Sequence, residues 1–203
     1  MNLGLGNLKE LKAWLLNEQL RPDTSWDAQI MAIGRGTAAA FERTCNRKFE
    51  RVVGAVADFS ADRAHLVLPR YPLEEVALVE FRDTPSAPWE NVTSSLATWS
   101  SASGLLEFSS ELGDALSRVR VTFTGGYWFD TSEDASGVMP AGAEALPADL
   151  KLAWLQHCRS TWAKYPKLGT PINTVPQATA LVTMNFSPDV AETLQAYRRI
   201  QLR

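Results

Sequence analysis

Apolar positions along the chain change period twice. From Leu8 to Cys45 they recur at helical spacing: Leu8, Leu11, Trp14 and Leu15 make one stripe, and Trp26, Ile30, Ile33, Thr37, Phe41 and Cys45 make a second. Pro22-Asp23-Thr24-Ser25 separates the two and offers caps to the second helix. Gly34, Gly36 and Ala38 to Ala40 thin one side of that helix, where a neighbouring helix can approach closely. From about Arg51 to Thr124 the period becomes two. RVVGAVADF, HLVLPR, EVALVEF, GLLEF and RVRVTFT are short runs rich in Val, Leu and Phe with turn residues between them, which predicts five or six strands in an antiparallel sandwich or small barrel.

The last of these strands is the clearest. Val119, Val121 and Phe123 alternate with Arg118, Arg120, Thr122 and Thr124, and the run ends at Gly125-Gly126, where the chain is free to take positive φ. Pro147 then opens a helix predicted to reach Tyr165, with Asp149 near the positive end of its dipole. Leu150, Trp154, His157, Cys158, Thr161, Trp162 and Tyr165 fall on one broad arc that Leu155 widens beyond the ~100° a single core needs. That width predicts contact beyond the domain. A Pro-broken segment follows, and Ser187-Pro188 start a final helix. The order predicts an α+β chain: a helical bundle from residues 1–50 and 147–203, a β insertion at 51–124, and a loop at 125–146. The acidic and small residues from Phe129 to Ala145 read as mobile.

Composition adds limits. At 203 residues and 45% hydrophobic content, the chain can bury one sizeable core, with or without a large insertion. Lys9, Glu10 and Lys12 interrupt the apolar N-terminal stretch, so a signal peptide or membrane span is not expected there and a soluble, cytosol-made protein is. Reduced, buried thiols are expected for Cys45 and Cys158. The net charge of −3 is uneven: residues 147–203 hold seven Lys/Arg against three Asp/Glu, which leaves thirteen against twenty, or −7, for residues 1–146. A high-affinity nucleic-acid binder concentrates its cations, and this chain does not.

Catalytic constellations are absent from the sequence. His157 and Cys158 are one helical step apart, about 100° around the axis, and cannot converge on one ion or act as a nucleophilic pair. His65 and Cys45 have no metal-ligand spacing with them, and no nucleophile elbow, dinucleotide fingerprint or P-loop occurs. Asp58, Asp62, Glu74 and Glu75 could form paired carboxylates, yet they flank predicted strands where turn-making and solvation are the ordinary roles. No catalytic, cofactor-binding or metal-ligating residues are assigned. Most of the seven tryptophans are expected in the core. Trp128, at the start of the loop, and Trp162, at the margin of the wide arc with Leu155, are the expected subunit-interface residues.

The succession of an N-terminal helix pair, a β insertion, LPRYPLEEVALVEF, FTGGYW, LPADLKLAWLQHCRSTW and a C-terminal AYRRI resembles the phage head–tail connector family, the adaptor or head-completion proteins beneath the portal. The resemblance implies a structural virion protein of the phage neck, assembled in the host cytoplasm. It implies a homo-oligomeric ring of about twelve subunits, with the portal protein on one side and a stopper or tail-completion protein on the other. Genomic DNA would pass the channel without sequence-specific binding. No cofactor, metal, membrane or enzymatic activity is implied.

The resemblance also makes the C-terminal segment the arm that docks on the portal. Here Val190, Leu194 and Tyr197 follow helical spacing, and Arg198, Arg199 and Arg203 gather at the tip. The same stripe could instead pack on the subunit's own bundle, with the arginines complementing the helix dipole. The large β region and the long Pro166 to Phe186 segment depart from the smaller members of the family. Another neck component, such as a stopper or tail-completion protein, and a small α+β enzyme with an unrecognised site are the rival readings.

Overall fold

The computed structural model describes residues 2–132, 136–164 and 186–199. The chain divides into two compact units, one comprising residues 1–46, 129–140 and 145–198, the other 47–128, 141–144 and 199–203. The fold is α+β, with antiparallel sheets as expected.

The first unit is helical: α1 (Leu8–Leu15), α2 (Asp27–Cys45), α3 (Ala148–Trp162) and α4 (Pro188–Ala196). Asn7 caps α1 by accepting from the Glu10 amide at 2.8 Å. Pro147 stands at the N-cap of α3, one place earlier than a first-turn proline, and the helix stops at Trp162, so its predicted end at Tyr165 lies outside the described residues. The thin side of α2 does receive its neighbours closely. A Cβ on Gly34 would lie 3.0 Å from Leu11 and 3.1 Å from Leu3, and the Trp154 indole donates to the Gly34 carbonyl at 3.1 Å. Across α1 and α2, the Lys12 ammonium reaches the Asp27 carboxylate at 2.6 Å and the Asp23 carbonyl at 2.7 Å.

The second unit holds β1 (Val52–Ser60), β2 (His65–Val67), β3 (Leu73–Arg82), β4 (Glu90–Asn91), β5 (Leu96–Trp99), β6 (Leu105–Phe108) and β7 (Arg118–Gly125). The sheets are open, β1-β7-β3-β4 and β2-β6-β5, so the small-barrel alternative is corrected: β1 and β4 remain edges. β7 lies between β1 and β3, with Val121 opposite both Ala57 and Val79. The alternation read from the sequence places Val119, Val121 and Phe123 inward, where they share one core with Val79, Leu66, Leu106 and Phe108 of both sheets. Gly126 (φ +102°) makes the turn that the Gly-Gly pair predicts, and a Cβ there would fall 2.4 Å from the Glu50 carbonyl oxygen.

Within the loop expected to be mobile, Phe129 is buried and Asp130 organises its flank, accepting from the Ser132 amide at 2.9 Å and the Gly137 amide at 3.1 Å. Glu133 to Ala135 lie outside the described residues.

Candidate functional site

The side chains that could carry chemistry are dispersed. Arg120 holds Asp58 at 3.0 Å, and Arg51 grips Glu74 through two bonds of 2.6 and 2.7 Å, so each carboxylate is paired with an arginine and not with a second carboxylate. Glu75 is exposed. Among the described residues no three His, Cys, Asp or Glu side chains gather as metal ligands. Burial pushes the Cys158 thiol up to about 12, which leaves it protonated and unreactive. An open, mainly apolar cleft of about 570 Å³ lies beside α1, lined by Leu8, Ala13 and Pro22, but its Lys12 and Asp27 are spent on each other. Nothing in this set pairs a nucleophile with a base.

The surfaces are more informative. α3 is packed against by α1, α2 and α4, and these three neighbours absorb the wide arc. Leu155 is buried, and Trp162 is half-buried with its ring edge-to-face against Trp26 at 5.9 Å. Trp128 is half-buried. The tryptophans as a group are less internal than expected: only Trp154 is fully enclosed, while Trp14 and Trp99 are exposed. Trp89 is met by two guanidiniums, Arg82 at 4.4 Å and Arg120 at 4.1 Å from its ring centre. The cross-strand rows Asp58–Arg120–Glu80 and Ser60–Arg118–Arg82 share the outer face of the four-stranded sheet.

Sequence reasoning missed the large apolar side chains that do face outward. Leu152 of α3 is 44% exposed, Val53 and Val56 of the edge strand β1 are 68% and 58% exposed, and Leu116 is 77% exposed. The signal for Leu152 was present, since it falls on the polar side of α3 beside Gln156 and Arg159. Exposed apolar side chains of this kind are the raw material of protein interfaces.

The C-terminal segment is built in two parts. In α4, Val190 and Leu194 are buried against α2 and α3, and the Leu194 carbonyl lies 3.4 Å from the Cys45 Sγ. The Tyr197 hydroxyl donates to Asp149 at 2.6 Å. These three side chains are thus engaged within the helical unit, the packing alternative left open by the sequence. Arg198 is exposed. Arg199, in the second unit, donates to the Val67 carbonyl, and Arg203 lies outside the described residues. Among the described residues no helix is long and apolar enough to cross a membrane.

No protein-family model matches the sequence, and no curated protein matches it. Solved structures do match. A chain from the neck of an empty gene transfer agent particle, computed with C6 symmetry, superposes with a TM-score of 0.58 at 15% identity over 97% of this chain and 90% of that one. A chain from the virion of a native gene transfer agent particle gives a TM-score of 0.58 at 14% identity, with the same coverage of 97% and 90%. At this identity the likeness is one of fold, and it extends through both units: this chain has the fold of a chain in the neck of a phage-like particle.

Proposed function

We propose that the chain is a structural protein of the neck of a phage-like particle, an adaptor of the head–tail connector type that closes into a ring beneath the portal and leaves a channel for DNA. The observation that carries the reading is the fold match over 97% of the chain to a neck chain at 90% of its length, reached independently of the strand, Gly-Gly-aromatic, Leu-Pro helix order in the sequence. The dispersal of the titratable side chains supports a role without catalysis. A ring of about twelve subunits keeps a sixfold axis, so the C6 symmetry of the matched neck agrees with six or twelve copies alike. The excess of acidic over basic residues in positions 1–146 suits a wall that DNA passes without adhering.

In this reading Trp128, Leu155 and Trp162 lie near the subunit contacts, with Leu152 supplying the exposed apolar side chain, and Arg198 is the exposed cation of the portal-facing end. The stopper or tail-completion protein takes the far side. Mixing with the purified portal of the same particle tests the adaptor role. Native mass spectrometry is expected to find a closed ring on the portal, and Leu152→Glu is expected to lower ring closure about tenfold or more while leaving the melting temperature nearly unchanged. Capture only by a preformed portal–adaptor complex would make the chain a stopper instead. Unchanged closure in Leu152→Glu would remove α3 from the interface.

A further inference from the structure

The helical unit contains a cluster of buried polar atoms without partners. The Nε2 of His157 and the hydroxyl of Thr161 one turn further along α3 lack a hydrogen-bond partner among the described residues, and the nearby Thr37 hydroxyl of α2 is turned to the Cys158 thiol. His157 is 4% exposed. Its ring sits between two phenylalanines, Phe41 of α2 at 6.2 Å and Phe186 at 4.9 Å, and these two meet each other edge-to-face at 5.4 Å. Phe186 immediately precedes the Ser187-Pro188 start of α4. The imidazole is therefore lidded by the residue that leads into the last helix.

Helix α4 has nine residues, too few to be helical alone, so it exists by docking. Among the described residues its attachments include Phe186 on the Phe41–His157 pair, Val190 and Leu194 on α2 and α3, the Leu194 carbonyl at the Cys45 Sγ, and the Tyr197–Asp149 bond. The α2–α3 contact beneath is held by the fully buried Trp154 and its bond to Gly34. When His157 must reach water, Phe186 and α4 are the cover that gives way.

We propose that His157 is a proton-operated latch: its neutral ring holds Phe186 and α4 on the bundle, and its protonation releases them. The charges around the ring support this. Burial lowers the affinity of His157 for a proton, and Lys164 lowers it further; it is the only charged group that acts on the ring among the described residues. From α2 the ring meets Phe41 and faces no carboxylate, Glu42 being half-exposed. The acids of α4, Asp189 and Glu192, are both exposed, and the Glu10–Lys151 pair ties α1 to an earlier turn of α3. Cys158, next to His157, stays neutral. Among the described residues no acid acts on the ring to stabilise an imidazolium.

The sign follows from linkage. With the closed-state pKa below 6.5 and the open state near that ordinary value, docking is fully favoured above 6.5 and weakens as pH falls below it. Between pH 7 and pH 5 the opening equilibrium of α4 is expected to rise by up to about 20-fold.

Hydrogen exchange on the full-length chain, corrected for intrinsic rates, reads this directly. Protection of the amides from Val190 to Ala196 is expected to fall, by at most about 20-fold, from pH 7 to pH 5 while the amides of α2 hold, and His157→Phe is expected to abolish the pH dependence. Protection that does not change with pH in the natural chain would overturn the latch, as would an unchanged dependence in His157→Phe. Should that variant not fold, imidazole NMR decides the matter. The chain has two histidines, so the spectrum is simple. A His157 signal whose protonation tracks the loss of α4 protection supports the latch, and one that protonates with α4 still protected refutes it. The latch does not depend on the neck reading.

Discussion

Gly126→Ala is expected to destabilise the strand-rich unit by about 3–5 kcal/mol, enough to leave it largely unfolded at growth temperature. Two effects combine. The backbone has φ +102°, which a Cβ disfavours, and that Cβ would lie 2.4 Å from the Glu50 carbonyl oxygen and 2.8 Å from the Arg51 nitrogen. Both atoms are backbone, anchored by the Tyr127–Phe49 and Arg51–Tyr127 hydrogen bonds of 2.7 and 3.0 Å, so neither can step aside. Gly54 is the control. It also has positive φ, +65°, but a Cβ at that position would meet no atom within 4 Å, so Gly54→Ala is expected to lose only about 1 kcal/mol. Urea unfolding of both variants separates the clash from the dihedral preference. Equal losses would mean that the packing of Gly126 against Glu50 is not what fixes the turn.

The second large effect is expected in the helical unit. Trp154 is 0% exposed, its indole N–H satisfies the Gly34 carbonyl, and its ring presses against Gly6, where a Cβ would lie 3.0 Å away. Trp154→Ala is expected to cost about 3–5 kcal/mol, because it opens a cavity where α3 meets α2 and the N-terminal turn. Trp154→Phe keeps most of the volume and removes the donor, so about 1–2 kcal/mol is expected from the lost hydrogen bond and the smaller ring, the Gly34 carbonyl keeping its place in α2. Thermal unfolding followed by circular dichroism at 222 nm measures both. If Trp154→Ala melted like the natural chain, the centre of the helical unit would have to lie elsewhere.

The parts of the fold legible in the sequence are those where a single physical rule dominates. Strand β7 declared itself because Val119, Val121 and Phe123 face one core while arginines and threonines face away. The Gly125-Gly126 turn was readable because the backbone contact there tolerates no side chain. Strands β4 and β5 were missed: Glu90–Asn91 is two polar residues long, and Leu96–Trp99 is nearly all exposed, so neither carries a period-two signal. The open sheets could not be distinguished from a small barrel because closure depends on which edges pair, and β1 pairs with β7 across most of the insertion. For α3, a wide apolar arc signals several neighbours but not whether they are other helices of the same chain; α1, α2 and α4 fill that role. The stripe of α4 had the same ambiguity, and within the single chain Val190 and Leu194 are buried on the subunit's own bundle. The exposed Leu152 was signalled by its place on the polar face of α3 but passed over, whereas the grouping of Arg82 and Arg120 on Trp89 joins elements distant in the chain and left no signal.

If, as proposed, the chain is a ring-forming part of a particle's neck, its copy number in that particle is the most direct test. Any particles released by the cells that encode it would be purified and their proteins counted by mass spectrometry against isotope-labelled standards. A 22.4 kDa chain present at about six or about twelve copies per particle, and retained with the portal when tails are detached, is the expected result. Its absence from purified particles, or an abundance of hundreds of copies matching the shell protein, would contradict the account.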